Sequence, residues 1–386
     1  MSVLVLQQQL LGLALSKATA GVRLLNEPGW GNWTRVGGNA AILRCHEKSV
    51  EQVTTRVVVV SNGVRLFLVA RSDLLRERHA VSAKAEAIEL AKSVESTMES
   101  LMAEHRERRE HWYFHDFIDW EKGRSFKDDP WDESEATLSP EVRTAFVLNL
   151  LTEDNLPYYT SQFGEYFGQD SIMKRWSTLW TAEEGQHAIA MRSYLLTSRN
   201  CDPRLLEDDR MATVEGGWNP GFATVVDMFC YTSAQELATR VSHRNAGVKS
   251  DCETAHALMA KIARDENHHF LFYRGVTTEM LAQAPNVVLP ALNRVLQNFA
   301  MPGTGIPGFA RRALSMAKLG IYNQRIHAEN IIDPLLRHFK IEEITDLSAE
   351  SEQARDEILA IQPALIKAAE KFEARQSRSN KNKKAA

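Results

Sequence analysis

Two segments of this 386-residue chain align without a gap: Ala182-Glu183-Glu184-Gly185-Gln186-His187 and Arg264-Asp265-Glu266-Asn267-His268-His269. Each contains a Glu-x-x-His, and an arginine follows five positions after each histidine, Arg192 and Arg274. At a spacing of three, both side chains lie on one helix face and can reach one metal ion. A single Glu-x-x-His says little, because both residue types are common on solvated faces. The repeat is far more restrictive. An acidic residue also precedes each segment, Glu153 by 31 positions before Glu184 and Glu236 by 30 before Glu266. Those intervals bring mid-helix residues level in an antiparallel helix pair with a short loop. The inventory is then one Glu from each of two helices and a Glu-x-x-His from each of two others, as in di-iron and di-manganese carboxylate bundles.

The donor set narrows the metal. Four carboxylates and two imidazoles suit iron or manganese, and the lack of thiolate argues against zinc or an iron–sulfur cluster. Two divalent ions balance four carboxylates, whose burial without counter-charge would be very costly. A solvated helix face is the competing reading. Trp180, Phe270, Leu271, Phe272 and Tyr273, which neighbour the motifs, favour buried helices instead. His268 points in a different direction from His269 and is not expected to be a ligand.

Bulk composition excludes several classes. The apolar fraction of 44% and charged fraction of 25% suit a soluble globular protein. A net charge of −4 gives no basic field for nucleic acid. The cysteines, Cys45, Cys201, Cys230 and Cys252, are scattered, which suggests a reducing compartment and neither a disulfide framework nor a zinc site. No apolar run is long enough to span a bilayer. Residues Met1 to Ala20 are partly apolar, but Gln7-Gln8-Gln9 interrupts them and no basic residues precede them, so a secretory signal is weak. A cytoplasmic location is expected, or the plastid stroma if this stretch is a transit peptide.

The chain reads as three parts. In residues 1–75, Val57–Val60 and Val64–Val69 flank Ser61-Asn62-Gly63 and read as a β-hairpin. The alternative is a poorly ordered extension or sequence translated upstream of the true start, and no function is assigned to it. Residues 76–375 read as helical: Ala80 to Glu110, Ser139 to about Phe167, Ser171 to Ser198, Gly221 to Asn245, Asp251 to Ala284, and further helices beyond Pro285. A polar connection through Gly216-Gly217 and Pro220 separates the two helix pairs. Residues 376–386 are polar and basic and read as disordered. Helix pairs joined by one longer crossover predict an all-α, ferritin-like four-helix bundle with additional helices. Pro157, four residues after Glu153, removes a helical hydrogen bond to the Glu153 carbonyl. It marks either a simple kink or a distortion that aims Glu153 at the metal.

Four segments, in order, resemble the soluble acyl-acyl-carrier-protein desaturases, closest to the actinobacterial branch. They are Thr152-Glu153-Asp154-Asn155-Leu156-Pro157, Trp180-Thr181-Ala182-Glu183-Glu184 with His187, Gln235-Glu236-Leu237-Ala238-Thr239 with Ser242-His243, and Asp265-Glu266 with His269. The resemblance runs from about Trp112 to about His338 and does not cover residues 1–75. It implies two ferrous ions per chain, held by Glu153, Glu184, His187, Glu236, Glu266 and His269. It places Thr239 beside the oxygen site, to hand on protons or orient oxygen. It matches Asp265 and Trp112 to an electron path, although Asp265 alternatively just orients a ligand histidine. The implied activity is oxygen-dependent introduction of a cis double bond into a fatty acyl chain on acyl carrier protein, with electrons from a ferredoxin-type donor, in a homodimer. A basic docking patch would serve the acidic carrier; Arg311-Arg312 with Lys318, and Arg106, Arg108 and Arg109, are candidates unless they are simply solvated. The plant form of the first motif is Glu-Glu-Asn-Arg-His-Gly, and this chain departs from it at Gly185, Gln186 and Ala188. A ferritin-type storage protein would share the ligands. A ribonucleotide reductase subunit would need a radical tyrosine, for which Tyr158 or Tyr231 could be proposed.

Overall fold

The computed structural model describes residues 33–35, 41–44, 53–60 and 63–385, with side chains from 82 to 378 apart from those of Tyr159 and Glu165. The stretch read for a secretory signal, and Ser61-Asn62, lie outside the described residues. The chain divides into two compact units, Met1–Ala83 and Lys84–Ala386.

In the first unit, strands β1 (Trp33–Arg35), β2 (Ala41–Arg44), β3 (Val53–Val60) and β4 (Gly63–Ala70) form an antiparallel sheet in that order. The expected hairpin corresponds to β3 and β4, registered from Val53 opposite Ala70 to Val60 opposite Gly63. The two preceding strands, three and four residues long, carry too little pattern to be read from sequence.

The second unit is helical, and its first helix starts before the boundary, at Arg71. Helices α1 (Arg71–Ser93) and α2 (Glu95–Arg108) replace the single stretch expected from Ala80, with a break at Val94. Helix α3 (Pro140–Glu153) starts as the sequence dictates: Ser139 accepts a hydrogen bond from the Val142 N–H and Pro140 opens the first turn. It ends earlier than expected. Pro157 offers no N–H to the Glu153 carbonyl, and a turn at Asp154–Asn155 separates α3 from α4 (Leu156–Tyr166). Asn155 anchors that turn by donating from Nδ2 to the Pro302 carbonyl at 3.0 Å.

Helix α5 (Ile172–Thr197) is capped by Ser171. The connection after it is not a plain polar loop. It holds α6 (Pro203–Gly216), whose start at Asp202-Pro203 is a capping carboxylate followed by proline, and whose end is Gly217 at φ 65°. Helix α7 (Val225–Lys249) begins four residues later than expected. Gly221 takes φ 65°, and the chain becomes helical only after the Thr224–Asp227 capping box. Helices α8 (Glu253–Gln283), α9 (Pro285–Gln297), α10 (Phe309–Leu319), α11 (Gln324–His327), α12 (Asp333–Phe339) and α13 (Ala349–Ala385) complete the unit. Helix α13 runs on through the residues after Gln376 that composition read as disordered. Extending an established helix costs far less than nucleating one, and no Gly or Pro interrupts that stretch.

The bundle is a closed square in which α3 packs on α5, α5 on α8, α8 on α7 and α7 on α3. Around it, α2 lies on α8 and α5, α9 on α7, and α10 on α3. Helix α7 is buried on every side from Val225 to Thr239, as a central helix must be. Two apolar clusters fill the unit. One includes Trp176, Trp180, Phe229 and Tyr273, and the other Phe146, Met191, Leu195 and Ile262. Along α5 and α8 the two Glu-x-x-His motifs fall between residues of one cluster and residues of the other. Among the described residues no helix is long and apolar enough to cross a membrane.

Candidate metal centre

The bundle brings all six sequence-selected carboxylates and histidines together. Glu153 ends α3, Glu184 and His187 lie on α5, Glu236 on α7, and Glu266 and His269 on α8. All are buried, and His187, Glu236 and His269 are wholly inaccessible. Their donor atoms form two groups, each within 4.8 Å: Glu153, Glu184, His187 and Glu266, and Glu184, Glu236, Glu266 and His269. Glu184 and Glu266 belong to both. Each group could hold a cation, and the two groups share two carboxylates.

Both imidazoles turn Nδ1 inward. His187 Nδ1 lies 3.2 Å from Glu184 and 3.4 Å from Glu266. His269 Nδ1 lies 2.7 Å from Glu184 and 3.8 Å from Glu236. The residues fit a cation. Glu184 Oε1, both Glu236 oxygens, Glu266 Oε1 and His269 Nδ1 are buried without a hydrogen-bond partner, a concentration of orphaned donor atoms that a folded core otherwise avoids.

The electrostatics agree. Burial, reinforced by the charge of Glu184, pushes the Glu153 carboxyl up to about 8. Burial and the charges of Glu184 and Glu266 also hold Glu236 well above the usual carboxylate range. Burial opposes ionisation of Glu266 too, but hydrogen bonds from His187 and His243 outweigh it and hold that carboxyl well below the ordinary value. For His269, the penalty of burial is overcome by the Glu184 charge and a hydrogen bond to Glu183, which raise it to about 10. Negative charge is so crowded here that protons or cations must be shared.

The remaining candidates are close by. Thr239, on the Glu236 helix, donates its hydroxyl to Glu266 Oε2 at 2.9 Å. Trp112 donates from Nε1 to Asp265 Oδ2 at 2.6 Å, and that oxygen lies 3.5 Å from His187 Nε2. Sequence reasoning assigned no role to other contributors. Glu183 lies 2.9 Å from His269 Nε2, and its position opposite Asp265 in the repeat was the available signal. His243 Nε2 lies 3.0 Å from Glu153, while its other nitrogen meets Asn149 at 3.3 Å. Buried His105 contacts Glu183, and no motif marks it. His268 stands outside both groups, as expected. Two proposed docking arginines are engaged internally, Arg109 with Glu183 at 2.9 Å and Arg312 with Asp209. A cavity of about 90 Å³ adjoins the centre, lined by Glu153, Thr239 and His243 and by apolar groups including Leu148, Met301 and Phe309.

A family model described as fatty acid desaturase matches residues 86–386. The chain belongs to this family. The desaturase is accordingly an oxidoreductase of fatty acid metabolism. It is 37% identical over 309 residues to the acyl-[acyl-carrier-protein] desaturase DesA1 of Mycobacterium tuberculosis, a match covering 77% of this chain and 91% of that one. It is 25% identical over 356 residues to the chloroplastic stearoyl-[acyl-carrier-protein] 9-desaturase 5 of Arabidopsis thaliana, covering 86% and 88% respectively. The X-ray structure of the acyl-ACP desaturase DesA2 of Mycobacterium tuberculosis H37Rv superimposes with a TM-score of 0.56 at 24% identity, over 69% of this chain and 98% of that one. The last comparison supports the all-α, ferritin-like fold.

Proposed function

We propose that the protein introduces a cis double bond into a fatty acyl chain carried on acyl carrier protein, at two iron ions, using dioxygen and electrons from a ferredoxin-type donor. The observation that carries this is the pair of four-residue groups sharing Glu184 and Glu266, beside a largely apolar cavity. In this reading Glu153 and His187 complete one iron site, and Glu236 and His269 the other. Bound there, the two irons would supply the oxygen-dependent removal of two hydrogens from adjacent methylenes.

The chain's own residues have separate tasks. Nδ1 of each imidazole is presented to metal because the opposite nitrogen faces a carboxylate, Asp265 or Glu183. Thr239, which lines the cavity, holds a proton at Glu266 Oε2 and can relay it inward. The Trp112–Asp265–His187 chain links a nearly buried indole to a ligand and offers an electron path. Residues 1–75 carry no catalytic task in this reading, residues 76–375 form the catalytic domain, and residues 376–386 lie beyond it. The active form is proposed to be a homodimer in the cytoplasm.

Both tyrosines named for the competing radical reading are tied to backbone carbonyls. The Tyr158 hydroxyl donates to the Val214 carbonyl, and the Tyr231 hydroxyl to the Ala300 carbonyl at 2.9 Å. The test is to incubate the reduced, iron-loaded protein with acyl carrier proteins of several chain lengths and analyse the released acids. A cis-monounsaturated product is expected; iron uptake and oxygen consumption without product would instead support storage. In the same assay Thr239→Val should keep normal iron content with slower or less coupled turnover. Loss of iron in that variant would contradict the assigned role.

A further inference from the structure

The two repeats carry matching outer contacts, crossed between helices. Asp265, one residue before Glu266 on α8, faces His187 Nε2 on α5. It is held in turn by the Trp112 indole N–H at 2.6 Å and flanked by Lys261 at 3.7 Å. Glu183, one residue before Glu184 on α5, faces His269 Nε2 on α8 at 2.9 Å. It is held by His105 Nε2 at 2.9 Å and by Arg109 at 2.9 Å. Each arm is therefore a metal-facing imidazole, a carboxylate, a ring N–H and a cation. The family resemblance accounts for the Trp112 arm and leaves the His105 arm without a role.

We propose that His105 is a positioning residue for the metal site formed by Glu184, Glu236, Glu266 and His269, acting through Glu183. The reason lies in hydrogen-bond bookkeeping. His105 Nδ1 is buried with no partner, which fits a ring whose proton sits on Nε2 and is donated to Glu183. Glu183 then has its oxygens aimed by two donors besides His269. Its Oε2, shared by His105 and His269, keeps a His269 proton on Nε2 and turns Nδ1 towards the metal-binding carboxylates. His105 is itself fixed by packing: it meets the Trp176 ring edge-on at 4.9 Å and stacks with His269 at 5.8 Å. Arg109 is placed differently: its side chain is 31% exposed and it pairs with Glu183 Oε1 at 2.9 Å. Without His105, Glu183 is free to rotate toward Arg109 and release the imidazole. His105 also lines a surface pocket of about 270 Å³ with Arg108, His268 and His338, so water would replace a deleted ring.

This inference rests on the two-metal reading above, and the test separates the two. The full-length chain, stripped of metal, is titrated with cobalt(II) by calorimetry and visible absorption, alongside His105→Ala and His105→Gln. Wild type should take up two ions. His105→Ala should weaken one of them by about 10- to 100-fold, with a changed spectrum for that ion only. His105→Gln, which keeps a side-chain N–H donor, should restore it. Equal weakening of both ions, no weakening, or a Gln variant that behaves like Ala would overturn the proposal, since a purely structural defect is not selective and is not rescued by a donor. A wild-type chain that binds no cobalt would overturn the two-metal reading and this proposal with it.

Discussion

Glu184 and Glu266 belong to both four-residue groups, whereas Glu153 and Glu236 each belong to one. Residues that look equivalent in the sequence are therefore unequal in the site. Glu184→Ala should remove tight binding of both ions, while Glu236→Ala should retain about one per chain, read by metal analysis after anaerobic ferrous loading. Two ions retained in Glu184→Ala would refute the shared-ligand assignment. The metal-free fold should tolerate the loss of Glu236. Burial and the charges of Glu184 and Glu266 hold the Glu236 carboxyl well above the ordinary range, so removing it relieves crowding, while His269 keeps Glu184 and Glu183. A melting temperature of apo-Glu236→Ala at or above that of the apo wild type is the matching outcome. The residue scale also shows which motif members sequence could find. Glu183 and Asp265 occupy equivalent places in the repeat, but only the crossing of α5 and α8 pairs each with the other's histidine.

The helices are positioned by close packing as much as by their caps. Gly247, near the end of α7, faces α8 so closely that an added Cβ would lie 2.9 Å from Met259 Cβ and 3.4 Å from the His256 carbonyl. Those atoms belong to the rigid part of the neighbouring helix and cannot step aside. Gly247→Ala should therefore lose roughly 1–3 kcal/mol of stability through overpacking, despite its better helix propensity. Thermal unfolding of the full chain checks this; a raised melting temperature would mean that propensity wins and that α7 and α8 can separate cheaply. Helix starts were legible where Ser139, Ser171 and Pro140 announce them. The signal at Asp202-Pro203 was equally good but was read as part of a polar crossover, because α6 buries only Leu206, Asp209 and Thr213 and shows little apolar periodicity.

Across the whole molecule, the compact helical unit begins at Lys84 and the family match at residue 86. All six ligand candidates and every outer contact described here lie beyond that point. A chain beginning at Ser72 is accordingly expected to fold, bind two irons and desaturate carrier-bound acyl chains at a rate within a few-fold of the full chain. Metal content, circular dichroism and product analysis would be compared. A soluble, iron-loaded shorter chain without activity would give the first 75 residues a part in shaping the channel or docking the carrier.

The sequence by itself determined which six carboxylates and imidazoles are the ligand candidates, because two Glu-x-x-His segments and two upstream acids make a pattern that unrelated helices rarely produce. It also determined the fold class, since helical spacing of those acids requires a bundle to bring them level. It did not determine which carboxylates are shared, which nitrogen of each histidine faces inward, or that His105, Arg109 and His243 support the site. Those depend on contacts between positions far apart in the chain, such as His105 with Glu183 and His243 with Glu153. Nothing in local spacing encodes them; they appear only when four helices pack side by side and leave buried polar atoms that must find partners.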